Sequence, residues 1–205
     1  MDFFFPRRCP FCQKVTDGEL LCRRCGDTLP FTGERAMVEG AFGVCASPLY
    51  YEEQVRQALL RLKFQARLGG LDCMGELLAQ CAAEHFSGRF DTVTWVPVSR
   101  KRLRQRGFDQ AFELCRSTCR LWGVEPVQTL HKVWDNPPQS GLTAAEERRA
   151  NVLGVYEADA AQVCGRKILL LDDVLTTGAT LSECARVLRE AGAAEVVCLT
   201  LCRVR

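Results

Sequence analysis

A chain of 205 residues, 47% hydrophobic and 25% charged, is long enough for one globular domain with a small appendage and too apolar to be disordered. Its 27 Lys and Arg against 25 Asp and Glu leave a formal charge of +2, so no global field draws it to nucleic acid or to a membrane, and any such attraction must be local. The opening MDFFFPRRCPFC has too short an apolar run for an export signal, and no stretch approaches the roughly 18 to 20 apolar residues of a membrane span. A cytoplasmic protein without membrane insertion is expected.

In a reducing compartment, thirteen cysteines point to thiols or metal ligands ahead of disulfides. Cys9, Cys12, Cys22 and Cys25 form two Cys-x-x-Cys pairs inside CPFCQKVTDGELLCRRCGD. Each tight knuckle turns two thiolates towards one ion, and four sulfurs close the tetrahedral shell of Zn²⁺ with no open position for a substrate, so the metal is expected to be structural. Redox-active pairs and a chance product of a cysteine-rich chain are the alternatives. The segment holds too few apolar residues to fold without the metal. A small ribbon over residues 5 to 32, ended by Pro30 and a Thr-Gly-Glu linker, sets the expected units at 1–32 and 38–205. The other nine cysteines read as core. Cys115 and Cys119 share a helix face, Cys198 and Cys202 share a strand face, and neither His85 nor His131 is recognisable as the base of a thiol enzyme.

From residue 40 strands and helices alternate. GAFGVCAS reads as a short strand, and YYEEQVRQALLRLKF as an amphipathic helix with Tyr51, Val55, Ala58, Leu59 and Leu62 on one face. GGLDCMGELLAQCAAEHF continues as a second helix, DTVTWVPV as a strand, SRKRLRQRG as a basic loop and FDQAFELCRSTCRLW as a helix. VQTLHKV is extended, DNPPQSG is a loop and TAAEERRANV a short helix, followed by the strand RKILLLDD, the helix TLSECARVLREAGA and the strand EVVCLTLC. This rhythm predicts an α/β fold with a parallel sheet covered on both faces.

Ligands of such sheets bind beyond the carboxyl ends of the strands, where Asp172 and Asp173 close KILLLDD. Two adjacent acids repel each other and lose hydration unless something cationic or rich in hydroxyls meets them, and a sugar diol, with or without Mg²⁺, does so. The following VLTTGAT supplies main-chain N–H groups, the hydroxyls of Thr176, Thr177 and Thr180, and Gly178 and Ala179 at the positive end of the next helix. That is a cradle for a phosphate. It is not a nucleoside triphosphate P-loop, because G-x-x-x-x-G-K-[ST] does not occur.

ILLLDDVLTTGAT resembles the 5-phosphoribosyl-1-pyrophosphate (PRPP) motif of the type I phosphoribosyltransferases, whose fold is a five-stranded parallel sheet with surrounding helices. The resemblance implies that Asp172 and Asp173 bind the ribose hydroxyls as the catalytic pair and that Thr176, Thr177, Gly178, Ala179 and Thr180 bind the 5-phosphate. CPFC, CRRC, RLKFQARLGG, VPVSRKRLRQRGFDQA and NPPQSGLTAAEERRANVLGVY stand in the order seen in the ComF family, competence-related proteins with an N-terminal zinc ribbon. The chain departs from that family at Asp109, commonly Asn, and near Ser99, often His.

Arg100, Lys101, Arg102, Arg104 and Arg106 fall within seven residues at the carboxyl end of a predicted strand. They suit stabilising a departing diphosphate, gripping single-stranded DNA with Phe108 or Trp95 as stacking faces, or simple solvation. Arg148 and Asn151 fit either a flap over bound PRPP or a surface helix. The leading expectation is a PRPP-binding, phosphoribosyltransferase-like protein of DNA uptake; transfer of phosphoribosyl to an unknown acceptor with Mg²⁺ stays open, because no general base or acceptor pocket is recognisable. The rival is a DNA-uptake factor in which the PRPP site is a sensor or vestige, and the ribbon and basic segment meet single-stranded DNA or a DNA-uptake helicase.

Overall fold

Ile168, Leu169, Leu170 and Leu171 are fully buried, and this continuous aliphatic run makes theirs an interior strand of the sheet, covered on both faces. The computed structural model describes residues 8–16, 18–65, 68–134 and 152–205. Its elements are α1 (Arg23–Thr28), β1 (Met37–Gly40), β2 (Gly43–Ala46), β3 (Leu49–Tyr50), α2 (Glu53–Gln65), α3 (Leu71–Phe86), β4 (Thr92–Trp95), α4 (Arg100–Arg106), α5 (Gln110–Leu121), β5 (Leu130–Lys132), β6 (Tyr156–Ala158), α6 (Ala160–Val163), β7 (Lys167–Leu175), α7 (Ala179–Glu190) and β8 (Glu195–Arg203).

The main sheet runs β1-β2-β8-β7-β4, with β3 also on β8. Every pairing in it is parallel except β1 with β2. Successive side chains of β7 and β8 point to opposite faces. Leu169, Leu171, Val197 and Leu199 therefore join the core shared with α2, α3 and α5, whereas Ile168, Leu170, Val196 and Cys198 join a second core with α7. Each buried leucine contributes about 1.5–3 kcal/mol, so the strand that carries the two acids is held from both sides.

The antiparallel edge differs from the all-parallel expectation. GAFGVCAS is not one strand: Gly43, at φ +96, lets the chain reverse through Ala41 and Phe42, so β1 folds back along β2. A second small sheet, β5 with β6, stands apart from the main one. The basic segment is also corrected, from loop to helix. Arg, Lys, Leu and Gln are strong helix formers, the Ser99 hydroxyl accepts the Arg102 N–H at the start of α4, and Gly107 in the left-handed region ends it.

Thr32-Gly-Glu is no free linker either. The Thr32 hydroxyl donates to the Ser47 carbonyl at 2.7 Å, and Gly33–Arg35 form a 3-10 turn. Cys9, Phe11, Cys25 and Leu29 of the cysteine segment lie in the same core as α2 and α3. Arg61 of α2 donates to the carbonyls of Pro10 and Phe11, at 2.8 and 2.9 Å. The expected loop DNPPQSG beyond Asp135, the helix TAAEERRANV as far as Asn151, and with them Arg148 and Asn151, lie outside the described residues. Among the described residues no helix is long and apolar enough to cross a membrane.

Candidate functional site

The carboxyl ends of β4 and β7, the start of α7, helix α4 and the β5–β6 sheet enclose a cavity of about 360 Å³. Asp172, Asp173, Thr176, Gly178, Ala179, Thr180, Arg102 and Arg106 all line it. β7 does not stop at the acids: Val174 and Leu175 still pair with β8, so the carboxylates are held by a hydrogen-bonded strand rather than by a loop.

The two acids differ in setting. The Asp173 main-chain N–H donates to Asp172 Oδ1 at 2.8 Å. Burial, reinforced by the adjacent Asp173 charge, pushes the Asp172 carboxyl well above its ordinary range. Burial acts on Asp173 in the same sense, but the ammonium of Lys63, 2.7 Å from its Oδ2, outweighs that and holds it below the ordinary value. Lys63 in turn loses hydration by burial and is nevertheless raised, because Asp173 faces it. Gln110, buried at the first turn of α5, donates to the same Asp173 oxygen. Its Oε1 accepts from Arg106 at 3.5 Å, so a polar chain runs from the basic helix through Gln110 to Asp173 and Lys63.

The turn after β7 is built around Gly178, at φ +75. A Cβ there would come within 2.6 Å of the Phe42 ring, which the β1–β2 hairpin delivers beneath the turn. Thr177 does not line the cavity. Its hydroxyl accepts the Ala179 N–H at 3.5 Å and fixes the turn from outside. The residues that open α7 line the open cleft, where their N–H groups and the helix dipole favour an anion.

Helix periodicity divides the five cations. Arg102 and Arg106, four residues apart, face the cavity with the acids, while Arg100, Lys101 and Arg104 line a second groove of about 1560 Å³ between α4 and β5. Trp95, Phe108 and Trp134 line that groove too. Trp95 is 9% exposed and packs on Phe112 with ring centroids 4.8 Å apart, whereas Trp134 is 71% exposed. The departures at Ser99 and Asp109 have structural roles. Ser99 caps α4, and the Asp109 carboxylate accepts from Val98 and Phe112, tying the end of β4 to α5.

Sequence reasoning missed Lys63, Gln110, Lys132 and Tyr156, all of which line the cavity. Lys63 lies in RLKF, where a lysine of an amphipathic helix reads as solvated. Gln110 follows the basic segment directly, and only the contact across to β7 reveals it.

Away from the cleft, the sulfurs of Cys9, Cys12, Cys22 and Cys25 lie within 4.8 Å of one another. Four thiolates at the ordinary zinc–sulfur distance stand roughly 3.8 Å apart, so the cluster fits a tetrahedral Zn²⁺. Burial alone would raise the Cys9 thiol, but hydrogen bonds from the backbone of Cys22, Cys12 and Phe11 lower it to about 7, which favours a thiolate ligand.

A mostly parallel sheet with an acid pair and a phosphate-type turn at its carboxyl edge, joined to a four-cysteine cluster, defines a phosphoribosyl transferase fold with a zinc ribbon. The comparisons agree: residues 111–205 match the phosphoribosyl transferase domain and residues 1–55 the double zinc ribbon domain. The DNA utilization protein YhgH of Escherichia coli (strain K12) is 29% identical over 210 residues, covering 95% of this chain and 83% of that one. Competence protein F of Haemophilus influenzae is 26% identical, covering 92% and 86%, and competence protein ComFC of Bacillus subtilis is 26% identical, covering 95% and 77%. Over most of its length the chain is thus similar to competence and DNA utilization proteins, and it matches a double zinc ribbon domain followed by a phosphoribosyl transferase domain.

Proposed function

We propose that the cleft binds PRPP. The ribose hydroxyls would lie on Asp172 and Asp173, the 5-phosphate on the N–H groups and hydroxyls of the Thr176–Thr180 turn, and the diphosphate on Arg102 and Arg106. The observation that carries this reading is that one cavity of about 360 Å³ is lined by the acid pair, the phosphate-type turn and two cations. A pentose bearing an anion at each end matches those three groups and their order.

If transfer occurs, the chain's own contribution is to position the sugar and to stabilise the diphosphate as its bond to C1 breaks. Arg106 does so through a guanidinium already steadied by Gln110. Asp173 Oδ2 already receives the ammonium of Lys63 and the amide of Gln110, so that oxygen is not offered to a metal ion in the site as folded. Any Mg²⁺ that accompanies PRPP would then be carried by the ligand's own diphosphate.

Titration calorimetry with PRPP, using Asp172→Asn/Asp173→Asn as the control, tests this reading. Saturable binding that the double variant lacks supports it, and equal heats from both proteins would remove it.

A second reading concerns the neighbouring groove. Arg100, Lys101 and Arg104 beside Phe108 and the exposed Trp134 offer cations for a nucleic-acid backbone and faces for unpaired bases. Together with the names of the relatives, this supports a cytoplasmic role in DNA uptake or utilization, with single-stranded DNA along the groove. The two readings are compatible because they use different faces of α4.

A further inference from the structure

We propose that Lys63 is the resident counter-ion of the Asp172–Asp173 pair, so that the sugar end of the cleft is charge-balanced by the protein itself and recognises a pentose monophosphate without a divalent metal. The inference rests on the ribose phosphate reading of the cleft and gives a role to Lys63 of RLKFQARLGG, to which the sequence alone assigned none.

Three observations carry it. The ammonium is 2.7 Å from Asp173 Oδ2 on a side chain that is three-quarters buried and lines the cavity, so a cation already stands against the acid pair. Gln110 takes the same oxygen, which leaves that atom without a free direction for a metal. Lys63 also comes from α2, a helix anchored at Arg61 by two carbonyls, so the cation is delivered by a fixed element rather than by a mobile loop.

The chemistry follows. A diol meeting the acid pair finds carboxylate acceptors of which Asp173 is already compensated by the Lys63 ammonium, and the electrostatic need for an added dication is reduced. A dication would have to displace Lys63 and leave a desolvated ammonium behind. Lys63 and a divalent metal are therefore alternative occupants, and the native site should bind metal weakly.

Ribose 5-phosphate is the suitable probe, since it lacks the diphosphate that recruits Mg²⁺ by itself. In buffer dialysed free of Mg²⁺ but retaining the ribbon zinc, the native protein should bind it with an affinity that added Mg²⁺ changes less than about twofold. Lys63→Gln should lose about tenfold without metal and recover with Mg²⁺, while Lys63→Arg, which keeps the charge, should behave as native. Direct titration with Mn²⁺, read by its electron paramagnetic signal, should give tighter metal binding for Lys63→Gln than for native protein. Native binding of ribose 5-phosphate that requires Mg²⁺, or Mn²⁺ affinities equal in the two proteins, would overturn the assignment. Failure of the native protein to bind the sugar phosphate under any condition would count against the PRPP reading, and the Mn²⁺ comparison would still decide the role of Lys63.

Discussion

Asp172 Oδ1 accepts the main-chain N–H of Asp173 at 2.8 Å, and this contact sets two carboxylates side by side of which Asp173 alone holds the Lys63 ammonium. Neighbours in sequence, they act on stability with opposite sign. Asp173 is held below its ordinary pKa of 3.8, so its contribution is fully present above that pH and is lost as pH falls from there through its own lowered value. Asp172 is raised above 3.8, so it costs stability progressively as pH rises past that value towards its own raised one. Near pH 7, Asp172→Asn should raise the melting temperature, by the equivalent of about 1 kcal/mol, and the gain should vanish below pH 3.8. Asp173→Asn should lower it by about 2 kcal/mol, less than a fully buried pair would lose because Lys63 keeps contact with solvent. Thermal unfolding across pH checks both, and equal losses from the two variants would show that the carboxylates are equivalent.

The division of α4 predicts a division of phenotypes. Arg104→Ala should weaken single-stranded oligonucleotide binding and reduce its salt slope by about 0.7, the effect of one phosphate contact, with PRPP affinity kept. Arg102→Ala should do the reverse. Oligonucleotide and PRPP titrations on both variants make the test, and a shared loss in both assays would mean that the groove and the cavity form one site.

Gly178→Ala combines a left-handed backbone with a Cβ placed 2.6 Å from the Phe42 ring. The cost is about 1–3 kcal/mol from the backbone alone, and the turn must shift to relieve the contact. A drop of about tenfold or more in ribose 5-phosphate affinity is expected. Adding Phe42→Ala should relieve the clash but not the backbone strain, so only part of the affinity returns in calorimetry. Full affinity in the single variant would show that the turn does not hold the phosphate.

What the sequence made legible was whatever depends on neighbours along the chain. The buried run Ile168–Leu171, the acids that follow it, the glycine of the turn and the paired cysteines each carry a local signature, and the main elements followed from periodicity. Lys63 and Gln110 lie in RLKFQARLGG and RGFDQA, segments that carry the resemblance, but nothing local marks either as a partner of Asp173. They meet Asp173 from 110 and 63 positions away, and only the tertiary fold brings α2 and α5 against β7. The β1–β2 reversal was missed because GAFG also suits an extended segment, and α4 because five charges in seven residues obscured a capped run of good helix formers.

Arg61 and Lys63 leave α2 two residues apart, one reaching the Pro10–Phe11 turn between the first two cysteines and the other reaching Asp173. The helix is thus a lever with the four-cysteine knuckle at one arm and the acid-pair cleft at the other. Stripping the metal would slacken the first arm and let the second drift, so zinc starvation or thiol oxidation would silence the cleft through residues that touch neither the ion nor the ligand.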